Sequence, residues 1–139
     1  MANNYLNIFS TKSVKIPITS LDSLYSQLTN IKAVYAVELK KKIIYVGKAD
    51  HLRNRWSNHH RSYDFNLLLD LGIDLDFIFI ESINFEPFST KDFEKNLINE
   101  LKPVLNYRVG NYCSFDEILD KTQKSNKEWM RDAINCIKF

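Results

Sequence analysis

Ala33-Val-Tyr-Ala-Val-Glu-Leu39, then Lys40-Lys-Lys42, then Ile43-Ile-Tyr-Val-Gly47: these fifteen residues decide the fold. β-Branched and aromatic residues on both sides of a short charged segment form the pattern of a β-hairpin, although the turn lacks the usual Gly or Asn. If Leu39 pairs with Ile43, then Val37 faces Tyr45 and Tyr35 faces Gly47. Directly opposed residues share a sheet face. Tyr35, Tyr45 and the bare backbone of Gly47 would then line one surface. A slip of one residue would send the two tyrosines to opposite faces.

Working outward, Asp50 is placed to cap a helix from His51 to about Arg61, with Leu52 and Trp56 as its apolar side. Arg55 and His59 are four apart and would share one face of it. A second short helix is expected over Phe65 to Leu71, and a strand over Asp76 to Glu81. Ser89 or Thr90 would cap a helix to about Leu101, closed by Pro103, with Phe93, Leu97 and Leu101 as the buried stripe. Glu94 lies beside that stripe, in line with Ile98. Upstream, residues 1–17 read as irregular, and Ser20 caps a short helix, Leu21 to Leu28. Downstream, Ser114-Phe-Asp-Glu117 resembles a capping box, and Asn126 would cap a last helix with Trp129, Ala133, Ile134 and Ile137 on its apolar side. The expected fold is α/β (α+β): a small three-stranded antiparallel sheet flanked by helices. The chain divides into an N-terminal extension over 1–30, a core over 31–107 and a C-terminal helical extension over 108–139.

Composition narrows the class. The 139 residues suit one domain. A hydrophobic fraction of 45% with 26% charged residues argues for a packed core rather than disorder. Met1 to Ser10 lacks the basic start and apolar run of a signal peptide, and no apolar stretch approaches membrane-spanning length. A cytoplasmic protein is therefore expected. Cys113 and Cys136 stand apart from any Cys/His cluster, which argues against structural zinc. Charge is uneven. Lys40 to Arg61 holds seven Lys or Arg (Lys40, Lys41, Lys42, Lys48, Arg53, Arg55, Arg61) against one acid, Asp50, a local +6. Tyr63 to Glu94 holds eight acids against Lys91, a local −7. A concentrated basic block is the footprint of a phosphate-rich partner, although charge alone favours the plainer reading of a solvated, charge-mixed surface.

Six residues carry candidate chemistry. Glu94 is a carboxylate at the edge of an apolar helical face, either metal-bound or simply salt-bridged. Arg55 offers a guanidinium for phosphate, and His59 an imidazole able to take a proton. Tyr35 and Tyr45, ten apart, supply two phenols, and strand tyrosines commonly only pack. Lys48 follows Tyr45 by three; alone it is a solvated lysine.

The combination Ala33-Val34-Tyr35 with Tyr45-Val46-Gly47 resembles the paired signature of the GIY-YIG nuclease superfamily. Tyr45-Val-Gly-Lys-Ala49 and Leu52-Arg-Asn-Arg55 look especially like the N-terminal nuclease domain of the excision-repair protein UvrC. The resemblance spans residues 33 to 106, with Ala33 in place of the first glycine. It implies a catalytic arginine at Arg55, a tyrosine-or-histidine position at His59, a metal-binding glutamate at Glu94 and a closing asparagine at Asn106 after Pro103. It implies a DNA endonuclease with Glu94 holding one Mg²⁺ (or Mn²⁺). Tyr35, helped by Lys48, would position or deprotonate the attacking water. Tyr45 would orient the phosphate, Gly47 would support the site, and His59 is a rival base or a phosphate contact. Lys40, Lys41, Lys42, Arg53 and Arg61 are the expected DNA contacts. By exclusion of relatives with large added domains, a compact stand-alone enzyme of restriction or mobile-element type is expected. A homodimer is possible if both DNA strands are cut. The alternative is a non-catalytic nucleic-acid-binding module on the same fold.

Overall fold

A computed structural model gives the fold over residues 3–57, 59 and 61–107, which are the residues described below. In chain order these form α1 (Asn3–Lys12), β1 (Val14–Ile18), α2 (Leu21–Gln27), β2 (Ala33–Leu39), β3 (Lys42–Ala49), α3 (Leu52–Ser57), α4 (Ser62–Asp70), β4 (Leu75–Glu81), a 3-10 turn (Ser82–Phe85), α5 (Thr90–Leu101) and a second 3-10 turn (Val104–Tyr107). The strands make one antiparallel sheet in the order β1-β4-β2-β3. The α+β architecture with helices flanking a small antiparallel sheet is as expected, with a fourth strand added at one edge.

That strand and the helix before it correct the reading of residues 1–17 as irregular. Tyr5, Ile8 and Phe9 have helical spacing and pack toward α5, and Phe9 is buried. Val14, Ile16 and Ile18 alternate as a strand does, but Pro17 argues against a central strand because it cannot donate to a ladder. β1 tolerates it because β1 is an edge strand, paired only with β4.

The hairpin register holds where it matters for the site: Tyr35 pairs with Gly47 and Val37 with Tyr45. It differs near the turn. A bulge after Val37 leaves Ile44 as an extra residue, so Glu38 pairs with Ile43 and Leu39 with Lys42. The turn is therefore two residues, Lys40 and Lys41, both at positive φ (47° and 66°), the backbone of a type I′ hairpin turn. The bulge also explains why the sequence neighbours Ile44 and Tyr45 both join the core on one side of the sheet.

Each face of the sheet has its own core. Ala33, Tyr35, Val37 and Leu39 meet Leu24 and Leu28 near α2, Leu52 and Trp56 of α3, and Phe65 and Leu68 of α4. Val34, Ala36 and Val46 meet Phe9 of α1, Phe85, and Phe93 and Leu97 of α5. Ser20 caps α2 by accepting from Ser23 N–H at 3.0 Å, and Ser89 caps α5 by accepting from Asp92 N–H at 3.1 Å.

The helix expected from His51 to about Arg61 is shorter, α3 alone, and the second one, expected over Phe65 to Leu71, is α4 and starts earlier. His51, not Asp50, takes the first helical bond, from Arg55 N–H at 3.0 Å. α3 ends at Ser57 and α4 starts at Ser62. Tertiary partners end α3 early: His59 and Arg61 are drawn inward to buried polar groups described below, and local helical preference yields to them. α4 closes where Gly72 takes φ 79° and Ile73 N–H reaches back to Leu68 O at 3.1 Å, a Schellman ending. The helices expected after Ser114 and Asn126, and both cysteines, lie outside the described residues.

Candidate active site

The site forms along β3, the outer strand of the sheet on the side away from β1. Tyr35 stands on the neighbouring strand β2, and its ring lies across Gly47. A Cβ at Gly47 would fall 2.5 Å from both Cζ and Oη of Tyr35. Glycine is needed here because the phenol occupies the space any side chain would take. The ring, itself fully buried, thereby reaches past β3 to the sheet edge. There its hydroxyl meets His59 Nε2 at 2.7 Å.

The ring environment is aromatic on every side. Tyr35 stacks on Phe77 at 5.7 Å and meets Trp56 edge-on at 5.4 Å, and Tyr45 lies 6.3 Å away. His59 stacks flat on Trp56 at 4.2 Å. Burial in this apolar shell pushes the Tyr35 phenol well above its ordinary value, and the neighbouring Tyr45 adds to that, while the charge and hydrogen bonding of Arg55 pull it back. Tyr45 is also raised by burial and lowered by Arg55 and Arg61. Arg55, half-buried on α3, is thus the cation that both phenols face.

Glu94 enters from the opposite side of the sheet. It sits on α5 beside the buried Phe93 and Leu97, and it is half-buried. Burial raises its carboxyl above the usual range, and Lys48 and then Arg55 lower it. Lys48, exposed near the end of β3, and Arg55 are therefore the charges this carboxylate sees most strongly. The carboxylate also raises both phenols, so Tyr35, Tyr45, Arg55, Lys48 and Glu94 form one electrostatic group drawn from β2, β3, α3 and α5.

Asn106 serves the strand rather than the chemistry. Its Oδ1 accepts from Val46 N–H at 2.8 Å and its Nδ2 donates to Val46 O at 2.7 Å. A side-chain amide thus occupies a neighbour's place on the open edge of β3, and satisfies backbone groups that a half-buried strand edge would otherwise leave unpaired.

The expected DNA contacts separate into three groups. Arg61 is not a surface residue: at 7% exposure its guanidinium donates to Asp64 Oδ2 at 2.6 Å and to Leu105 O at 2.7 Å. Its place in the basic block said nothing of this, because one partner, Leu105, is 44 residues away, although the other, Asp64, is only three residues on. Arg53 is exposed, with its guanidinium 4.5 Å above the Tyr25 ring. Lys40 and Lys41 occupy the hairpin tip, about 15 Å along the strands from the Tyr35–Gly47 pair. They border a cleft of about 390 Å³ shared with Lys15, Glu38, Asp74 and Asp76. Lys42 follows as the first residue of β3.

A divalent cation fits this donor set. Among the described residues no group of three or more His, Cys, Asp or Glu is able to hold a metal. Mg²⁺, however, commonly engages only one or two carboxylates and completes its shell with water and substrate phosphate oxygens. Glu94, a half-buried carboxylate whose desolvation is only partly offset, suits that mode.

A family model described as the GIY-YIG catalytic domain matches residues 31–108. No curated protein and no solved structure matches the chain. Among the described residues no helix is long and apolar enough to cross a membrane.

Proposed function

The chain belongs to the GIY-YIG family, and from that premise we propose that it is a divalent-metal-dependent endonuclease that hydrolyses DNA phosphodiester bonds. The observation that carries this reading is the convergence of Tyr35, Tyr45, Arg55, Lys48 and Glu94 from four separate elements onto one strand edge. Each has a part in phosphodiester hydrolysis. Arg55 neutralises the charge that builds on the phosphate in the transition state. Tyr35, as its phenolate, takes the proton of the attacking water and becomes the neutral phenol. Burial makes its phenolate scarce but strongly basic once formed, and Arg55 provides the positive field that phenolate needs. Tyr45 orients the phosphate. Glu94 would hold Mg²⁺ or Mn²⁺, which when bound supplies positive charge to the leaving oxygen. Asn106 keeps β3, and so Tyr45 and Gly47, in register.

DNA is the proposed partner, held through phosphates by Arg53, Lys48 and the hairpin tip Lys40 to Lys42. Such binding weakens steeply as salt rises. The test is incubation of supercoiled plasmid with the full chain and Mg²⁺, beside an EDTA control. Nicking or linearisation that EDTA stops is the expected result. Salt-sensitive DNA binding by folded protein, without any cleavage, would replace the enzyme with a binding module on the same fold.

A further inference from the structure

Arg61 lies outside the converging group, yet it is tied to His59, the hydrogen-bond partner of Tyr35. Its backbone N–H donates to His59 Nδ1 at 3.0 Å. Its guanidinium is held by the Asp64 carboxylate and the Leu105 carbonyl, which pin the backbone that makes the first contact. A main-chain N–H can only donate, so Nδ1 must carry a lone pair. The single proton of a neutral imidazole then sits on Nε2. Nε2 is the atom 2.7 Å from the Tyr35 hydroxyl. His59 therefore donates to the Tyr35 oxygen and directs the phenol's own proton away from the ring. Both ring nitrogens are committed, and the ring stacks on Trp56. In this arrangement His59 has no lone pair to offer a water molecule.

We propose that Arg61 is a positioning residue that locks His59 in the Nε2–H tautomer and so turns His59 from a rival base into a hydrogen-bond donor for the Tyr35 oxygen. A donated hydrogen bond strengthens as the phenol loses its proton, because the acceptor becomes charged. Arg55 and His59 would then present two donors to one developing phenolate. The second anchor, Leu105 O, is next in sequence to Asn106, which clamps β3. One short turn thereby ties the His59 loop to the strand that carries Tyr45 and Gly47. The catalytic consequence rests on the nuclease reading; the tautomer does not.

The test has two arms. In the first, ¹⁵N NMR of the full chain at about pH 8, where a free imidazole is neutral, reads the His59 ring, assigned by its loss in His59→Gln. A protonated Nε2 with an unprotonated Nδ1 is expected, and a proton on Nδ1 overturns the proposal. In the second, Arg61→Lys is compared with wild type in tautomer, kcat and KM. A mixed tautomer with kcat lowered on the order of tenfold to a hundredfold, and KM unchanged, is expected of a positioning residue. An unchanged tautomer with weaker DNA binding and a shallower salt dependence would return Arg61 to the role of phosphate contact and overturn the proposal. Asp64→Asn, which loosens the same anchor without removing Arg61, replaces Arg61→Lys if that variant does not fold. If wild type cuts no DNA, the nuclease reading fails while the tautomer measurement still decides the first arm.

Discussion

The two faces of the sheet are built from similar apolar material and do different work. On the face of Val34, Ala36 and Val46, Phe85 stacks on Phe93 at 4.3 Å and Phe9 and Leu97 complete an apolar core. On the face of Tyr35, an equally dense aromatic cluster encloses a phenol, an imidazole and a guanidinium. Buried polar groups cost stability unless bonded, and here a chain of them bonds to one another: Tyr35 to His59, His59 to Arg61, Arg61 to Asp64 and Leu105. Arg61 Nε and the Trp56 indole N–H are left without a hydrogen-bond partner among the described residues. Glu94 belongs to the first face by its helix and to the second by its charge partners. On the proposed function, one side of the sheet supplies stability and the other most of the chemistry, and they meet at the edge of β3.

The division is broken most sharply by two substitutions of similar size and opposite kind. Phe85→Ala removes a ring that is 1% exposed and should cost about 3–5 kcal/mol in urea unfolding, while the folded fraction keeps its kcat. Tyr35→Phe keeps the ring and removes only the oxygen. Cleavage should fall roughly a thousandfold, while the lost bond to the buried His59 should cost about 1–3 kcal/mol of stability. A Tyr35→Phe enzyme with full activity would remove the phenol from the mechanism. The wild-type pH profile sharpens the same point. Because burial raises the Tyr35 phenol, its reactive ionised form is a minor species at neutral pH and grows tenfold with each pH unit. The logarithm of kcat should therefore climb with a slope of about one from about pH 6 to pH 9. A plateau above about pH 7 would point to an imidazole base instead.

The hairpin itself contrasts a functional end with a mechanical one. Lys40 and Lys41 hold positive φ that lysine accepts at a cost, whereas Asn-Gly is suited to this turn. The double substitution Lys40→Asn, Lys41→Gly should raise stability by about 1 kcal/mol, the smallest of these effects. If the tip also contacts phosphate, KM for DNA should rise and its salt dependence flatten while kcat holds.

The sequence was most legible where local pattern and tertiary structure agree. Alternation and spacing place Tyr35 opposite Gly47, and helical periodicity puts Glu94 at the edge of α5. It was least legible where a distant partner overrides local preference. Pro17 disguises a strand that is acceptable only at an edge. The run from His51 to Arg61 contains no Pro or Gly to mark the helix break, which is set by the pull of Tyr35, Asp64 and Leu105 on residues 59 and 61. Arg61 reads as one more cation of a basic block, because nothing in its neighbourhood reports the Leu105 carbonyl 44 residues away. The Ile44 bulge, likewise, has no local marker.

The most direct test of the account is plasmid cleavage by Glu94→Ala beside wild type in Mg²⁺, with DNA binding and thermal unfolding measured on the same preparations. The account predicts that cleavage is abolished while folding and DNA binding persist, since Glu94 is half-buried and its proposed role is to hold the metal. Full activity in the folded variant would contradict it.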